Sequence, residues 1–301
     1  MDRLHTIEIF IRVAQTLSFS RTAEQLQLPR STVSAAVQTL ESHLQTRLLH
    51  RTTRKIQLTI DGSLYLDWAQ RLLADIADTE QRLRQGSAVP AGKLRISVPG
   101  RIASYIIAPH LPDFLRQYPD IELEISSTDR PVDLIDEGID CAIRVGEMHN
   151  DNLIAKTLGQ LSQGTFASPA YLTECGVPQR PDDLAQHRVV NYLSPVTGRV
   201  LAPEFQLQGK IYTPPFAAKI AVNSVESYIA CCCAGLGLIQ IPQYDAQQLL
   251  QEGKLVEVLS DYAPPSMIIA AVYPDRRYVS RRVRVFIDWM QQLFRHNMQP
   301  I

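Results

Sequence analysis

The sequence has little cysteine: five in 301 residues, Cys141, Cys175 and the run Cys231-Cys232-Cys233. No two stand at CxxC spacing and the total is odd, which excludes a disulfide framework and a zinc ribbon. On a helix, three consecutive thiols point about 100° apart and cannot converge on one metal. Plain buried small residues are expected there, with a redox-sensing thiol as the alternative. Long hydrophobic runs are missing too. The longest, Tyr228 to Ile239, is about a dozen residues and contains two glycines, well short of the roughly 20 that cross a bilayer. No membrane span is expected. The N-terminal Met1-Asp2-Arg3-Leu4-His5 lacks the basic and apolar pattern of a secretory signal, so the expected location is cytoplasmic. Spacings that carry catalysis are also absent: there is no GxSxG elbow, HExxH or P-loop, and Gly235-x-Gly237 lacks its third glycine. The seven histidines are scattered singly. Neither an enzyme, a metal site nor a cofactor is expected.

An excess of charge of one sign is missing from the whole chain. Lys+Arg number 30 and Asp+Glu 31, a formal charge of −1, which alone argues against a basic nucleic-acid binder. The distribution argues otherwise. Residues 1–60 hold eight basic groups (Arg3, Arg12, Arg21, Arg30, Arg47, Arg51, Arg54, Lys55) and four acids (Asp2, Glu8, Glu24, Glu41), a net +4, and the remainder carries −5. A basic head on a mildly acidic body points to nucleic-acid contact at one end. The length suggests two or three domains, and 45% hydrophobic residues are typical of a folded, globular chain.

In the head, Leu4, Ile7, Phe10, Ile11, Ala14 and Leu17 recur at intervals of three and four, predicting a first helix over residues 3–16. Ser20 is the expected N-cap of a short second helix. Pro29 is the expected first residue of a third, which buries Val33, Ala36, Val37, Leu40 and Leu44. The other face of that helix shows Arg30, Ser31, Ser34, Ala35 and Gln38, small or hydrogen-bonding rather than ion-paired. Two helices joined by a tight turn, the second with a polar reading face, describe a helix-turn-helix. Residues 51–59 then read as a two-stranded wing whose Arg51, Arg54 and Lys55 suit phosphate contact. From Asp61-Gly62 to about Gln85, the positions Tyr65, Trp68, Leu72, Ile76, Thr79 and Leu83 form a near-heptad seam that predicts pairing with another helix; packing on its own domain is the alternative. Gly86 to Gly92 is a small-residue hinge. The expected domains are residues 1–60, a linker over 61–90, and a body over 91–301.

Beyond the hinge, strand-like runs (Lys93–Val98, Ile121–Ser126, Cys141–Val145) alternate with helical ones to about Tyr118 and near Val132–Gly138, the rhythm of a parallel sheet. A similar rhythm resumes after Thr165, and a late strand, Met267–Tyr273, precedes a closing amphipathic helix. The fold class expected is α/β: two lobes, about 91–162 with 267–301 and about 163–266, with a cleft between them.

The order of parts, with Pro29-Arg30-Ser31-Thr32-Val33-Ser34, Leu40-Glu41, Leu48-Leu49-His50-Arg51-Thr52-Thr53-Arg54, Leu58-Thr59, Gly62, Tyr118-Pro119, Asn223, Ala234-Gly235-Leu236-Gly237 and Ile241-Pro242, resembles the LysR-type transcriptional regulators along essentially the whole chain. Three positions depart from the usual pattern: Ala35 in place of a common arginine, Gln45 in place of glycine after the third helix, and Pro29 in place of a serine cap. The resemblance implies a winged helix-turn-helix, a dimerising linker helix using Tyr65, Trp68, Leu72, Ile76 and Leu83, and a two-lobed, periplasmic-binding-protein-like effector domain. It implies groove contacts by Arg30, Ser31, Thr32, Ser34 and Gln38, and backbone contacts by Arg51, Thr53, Arg54 and Lys55. Partners implied are double-stranded DNA with an interrupted palindrome, a second copy of the chain in a dimer or tetramer, and RNA polymerase if the protein activates. The effector, a small molecule of the carboxylate class, is expected against Pro99, Gly100, Arg101, Thr128, Asp129, Arg144, Gly146, Phe166, Ser168 and Asn223. For Arg101 and Arg144, an inter-lobe salt bridge or simple exposure is the competing assignment. A transporter's solute-binding protein would fit residues 93–301 but not the basic head, and a sensor that binds no DNA would require that head to be idle.

Overall fold

The structure, a computed structural model, describes residues 2–51, 56–83, 90–146, 153–274 and 279–297. It forms two compact units, Met1–Gly92 and Lys93–Ile301.

The first unit runs α1 (Arg3–Thr16), α2 (Phe19–Leu26), α3 (Arg30–Leu44), β1 (Leu49–Arg51), β2 (Ile56–Leu58) and α4 (Ile60–Leu83). Ile7, Phe10 and Ala14 of α1 meet Val33, Val37 and Leu40 of α3 in one core, so the three-and-four spacing of the sequence becomes the contact itself. Two caps differ from expectation. Ser18, held extended, caps α2 by accepting from the Arg21 amide at 3.3 Å, and Ser20 lies inside the helix. Pro29 sits one position earlier than expected, as the cap residue of α3 with ψ 138°, and lends its carbonyl to Thr32 and Val33. Helices α1, α2 and α3 each end on a non-glycine residue in the left-handed region, Leu17, Gln27 and Gln45, with φ near 50°. The turn after α3 is thus made without glycine, Gln45 itself taking the strained conformation.

Glu41, buried on α3, fastens the helix to the wing: its Oε1 accepts from the amides of Leu48 at 2.9 Å and Leu49 at 3.1 Å. The wing is an antiparallel pair with Leu49 opposite Leu58 and His50 opposite Gln57. Helix α4 starts directly against it. Thr59 caps the Gly62 amide at 2.8 Å, and a Cβ on Gly62 would stand 1.9 Å from the Leu48 carbonyl oxygen. Further along α4, the Tyr65 ring meets Phe10 edge-on at 5.5 Å, and Leu66, Ala69, Leu72 and Leu73 pack on the head's core. This corrects the seam: Tyr65 and Leu72 serve their own domain, because the α4 stripe covers the end of the α1 and α3 core. Ile60, Leu64 and Trp68 stay exposed on α4, Ile76 is half-buried, and the Leu83 side chain lies outside the described residues.

In the second unit, β3 (Gly92–Val98), α5 (Leu111–Gln117), β4 (Ile121–Ser127), β5 (Cys141–Val145) and β6 (Leu153–Leu161) build the first lobe with the later β15 (Met267–Pro274) and α9 (Arg281–Asn297). The sheet order is β4-β3-β5-β15-β6. β3 and β5 are parallel, but β15 runs antiparallel to both β5 and β6, so the sheet is mixed, because the returning strand enters from the other lobe. The expected helix at 132–138 is a single turn, where Asp133 accepts from the amides of Ile135 and Asp136 and Gly138 takes a positive φ. A π-helical turn, Ile102–Ile107, follows β3.

The second lobe holds β7 (Gln163–Ala167), α6 (Pro169–Cys175), β8 (Asn191–Leu193), β9 (Val200–Leu201), β10 (Phe205–Leu207), β11 (Lys210–Tyr212), β12 (Ala221–Val222), α7 (Val225–Cys233), β13 (Ile239–Pro242), α8 (Gln243–Gln251) and β14 (Val256–Val258). β7 lies between β13 and β14, and α7 closes over it through Tyr228, Ile229 and Cys232.

Two substitutions in the head test this packing by thermal unfolding. Gly62→Ala, which forces the first turn of α4 off Leu48, is expected to cost roughly 2–3 kcal/mol. Gln45→Gly, which relieves the left-handed turn, is expected to raise the midpoint by an amount worth about 0.5–1 kcal/mol.

Candidate nucleic-acid interface and effector cleft

Helix α3 turns one face to the core and leaves Arg30, Ser31, Ala35 and Gln38 exposed on the other, with Thr32 and Ser34 half-buried at the boundary. The polar face begins at the helix N-terminus, where backbone amides add positive character suited to phosphate. Arg51 ends β1, and its side chain and residues Thr53, Arg54 and Lys55 lie outside the described residues. His50 and Gln57, exposed cross-strand neighbours on the wing, are further candidates absent from the sequence expectation. The alternation of Leu49-His50 and Ile56-Gln57-Leu58, apolar inward and polar outward, is the signal that marks them.

In the body, the C-terminal end of β3, the loop after β4 and the last residues of β5 come side by side. Thr128 donates its amide to the Val98 carbonyl at 3.0 Å, and the Asp129 carboxylate accepts from the Gly100 amide. Pro99, Gly100, Thr128, Asp129, Arg144 and Gly146 are each half-buried at this edge. Arg144 donates to the Ile143 carbonyl at 2.9 Å and to Ser97 Oγ at 3.2 Å. Burial pulls its pKa down, offset in part by neighbouring negative groups that include Asp129, yet a guanidinium stays charged. Burial pushes the Asp129 carboxyl up, helped by Glu226 and opposed by the Gly100 amide and Arg144.

Arg101 has a different role from the one expected. Its Nε donates to Asp245 Oδ1 at 2.5 Å, Nη1 to both oxygens of Glu226 at 3.1 Å, and Nη2 to the Asp245 carbonyl at 3.3 Å. Its guanidinium also lies over the Tyr105 ring at 4.3 Å. Arg101 follows β3 in the first lobe, while Glu226 on α7 and Asp245 on α8 belong to the second. The inter-lobe salt bridge is therefore the assignment the structure supports, and Arg101 is taken up by the protein's own carboxylates. Burial disfavours its charge, but the bonds to Asp245 and Glu226 more than offset that and hold its pKa above the ordinary value.

Two further residues leave the expected set. The Phe166 side chain is fully buried in the second lobe's core because β7 is the centre of its sheet. Ser168 is buried and spends its hydroxyl capping α6, accepting from the Tyr171 amide at 3.4 Å. Asn223 is exposed just before α7. Residues the sequence did not mark are Glu226, Asp245, Tyr192 and Tyr244. Burial, then the charge of Asp129, pushes the Tyr192 phenol up to about 12, and burial first, then Asp245, raises Tyr244. Both phenols stay protonated. Burial likewise raises the thiols of Cys141 and Cys232 to about 12, which leaves them unreactive. Among the described residues no cluster of three or more His, Cys, Asp or Glu is placed to hold a metal, and no helix is long and apolar enough to cross a membrane.

This combination of a two-faced helix with a wing and a two-lobed body has close counterparts. Residues 4–63 match the bacterial regulatory helix-turn-helix proteins of the lysR family, and residues 87–295 match the LysR substrate binding domain. The chain is 41% identical to the HTH-type transcriptional regulator YhjC of Escherichia coli, over 96% of this chain and 97% of that protein. It is 38% identical to an HTH-type transcriptional repressor of Pseudomonas aeruginosa, over 99% and 94%. Among solved structures, CrgA of Neisseria meningitidis, a LysR-type transcriptional regulator, aligns over 96% of this chain and 97% of its own at 30% identity and a TM-score of 0.59. With both units matched and relatives alike from end to end, the chain belongs to the LysR family of bacterial transcriptional regulators, with a DNA-binding helix-turn-helix and an effector-binding domain.

Proposed function

We propose that this regulator reads an interrupted palindromic operator as a dimer or tetramer, and that a carboxylate-bearing effector in the cleft biases which DNA-bound geometry is populated. The observation that carries the DNA half is α3, whose buried face builds the core while Arg30, Ser31 and Gln38 stand exposed on the other side. Arg30 contacts a guanine edge, because its guanidinium can bond bidentately to O6 and N7. Ser31, Thr32, Ser34 and Gln38 complete the groove contacts, and Arg51, Thr53, Arg54 and Lys55 clamp the backbone. Two-fold symmetry of the protein then requires a matching symmetry in the operator. Self-association uses the exposed Ile60, Leu64 and Trp68, a stripe at intervals of four on α4. The protein works in the cytoplasm, without catalysis and with no cofactor beyond its effector, and if it activates it also touches RNA polymerase.

For the effector half, Arg144 is the cation to receive a carboxylate, since Arg101 is already paired. An effector shifts the balance of states only by binding one of them better, and the salt bridge of Arg101 with Glu226 and Asp245 is a cross-cleft contact that such a shift would have to keep or break.

A gel shift on the protein's own upstream region tests the DNA half. Arg30→Ala is expected to weaken specific binding about 10- to 100-fold, from a loss of roughly 1–3 kcal/mol at one base pair. Lys55→Ala should weaken all sequences alike and reduce the salt slope by about one. Binding that is indifferent to Arg30 would remove α3 from the readout.

The cross-lobe bridge is tested by a double-mutant cycle in thermal unfolding. Arg101→Ala leaves Asp245 buried and unpaired and is expected to cost about 3–5 kcal/mol, with much of that recovered when Asp245→Ala is added. Additive losses would show that the two residues are not coupled.

A further inference from the structure

The cleft has an unused acid as well as an unused base. Among the described residues neither Asp129 nor Arg144 forms an ion pair, although each lies within electrostatic reach of the other. The Asp129 carboxylate, which can accept at about four lone-pair positions, takes up the Gly100 amide. Arg144 has five N–H donors and uses two groups of its fork, on Ile143 and Ser97. Both are half-buried, and a half-buried charge without a partner is an unfavourable arrangement that a complementary ligand relieves.

The surroundings narrow the class of that ligand. Arg101 is matched by two carboxylates of the second lobe, Glu226 and Asp245, so the set of Arg101, Arg144, Asp129, Glu226 and Asp245 holds two cations against three anions. A ligand with only carboxylates would make this excess worse and would leave Asp129 facing it with the same sign of charge. Tyr192 and Tyr244, both within reach of Asp129 from the second lobe, keep their protons and add no charge. The ligand that satisfies both groups without adding net charge carries a carboxylate for Arg144 and a protonated amine for Asp129.

We infer that the cleft takes a zwitterionic effector of the α-amino-acid class, its carboxylate on Arg144 and its ammonium on Asp129. This rests on the cleft being the effector site, as proposed above. In this arrangement Asp129, beside the Gly100 amide at the end of β3 and facing the second lobe, is the specificity-determining residue that separates amino acids from plain organic acids. Rejection of the deaminated acid follows from the half-buried carboxylate it would leave without a cationic partner.

The test is calorimetry on the full-length protein with the twenty L-α-amino acids, and with the deaminated acid and the decarboxylated amine of each amino acid that binds. At least one amino acid is expected to bind, with both of its halves at least tenfold weaker. Asp129→Asn should weaken the amino acid at least tenfold and leave the binding of the deaminated acid no weaker, since a like charge is removed, whereas Arg144→Ala should abolish both. Thermal unfolding of each variant, expected to match the parent, separates lost contacts from lost folding. If no amino acid binds, the amino-acid class is overturned; if a deaminated acid binds as tightly as its parent and loses affinity only in Arg144→Ala, the class is overturned while the cleft remains the effector site. Ligand binding unchanged by either substitution would instead overturn the placement of the site.

Discussion

The guanidinium of Arg101 is the charge on which the body's two lobes depend for a fixed relation. It is buried and makes four donor contacts to the far lobe's Glu226 and Asp245. Taking Arg101 and Asp245 out of water is costly, and the bridge compensates because the guanidinium meets Asp245 through both a side-chain and a main-chain bond while the exposed Glu226 takes Nη1. The chain crosses between the lobes at two places, between β6 and β7 and between β14 and β15. Two crossings leave few covalent links between the lobes, and the Arg101 bridge adds a polar contact of defined geometry beside the packing of Tyr244 on the first lobe's core. The π-helical turn that begins at Ile102 sits immediately behind Arg101, so a widened turn of helix presents the side chain that reaches across.

In the head the comparable constraint is Glu41. Because α3 is buried on one face only, it keeps its position through one apolar stripe and the Glu41 carboxylate near its C-terminal end. By accepting from two consecutive amides, that carboxylate fixes where the wing begins. Helix α3 and the start of the wing are then set relative to each other by a bond between them rather than by the length of a turn.

The parts legible in the sequence were those governed by short-range periodicity. The stripes of α1 and α3 sit where the intervals of three and four put them, because the same residues that give the period form the contact. The cap of α2 was displaced by two residues, since Ser18 and Ser20 have the same chemistry and only the backbone angle of Ser18 distinguishes them. The long strand β6 was unmarked. Its register against β15 shifts between Ile269 and Ala270, and an extra residue there interrupts the alternation that identifies a strand. The cleft was the least legible part. Pro99, Gly100, Thr128, Asp129, Arg144 and Gly146 do gather at one sheet edge, but Arg101 finds Asp245 at a separation of 144 residues, a pairing that no local pattern announces. Phe166 and Ser168 fall on a central strand and a helix cap, where burial and a backbone amide claim them first.

Gly62 has a mechanical meaning beyond its packing. With no side chain, it lets the first turn of α4 rest on the main chain of Leu48, while the capping hydroxyl of Thr59 and the Tyr65 contact with Phe10 hold the same helix from two other directions. A rod held at three points near one end behaves as a lever with a rigid fulcrum. Torque applied further along α4 reaches α3 as rotation of the whole head, with little lost to flexing at the joint.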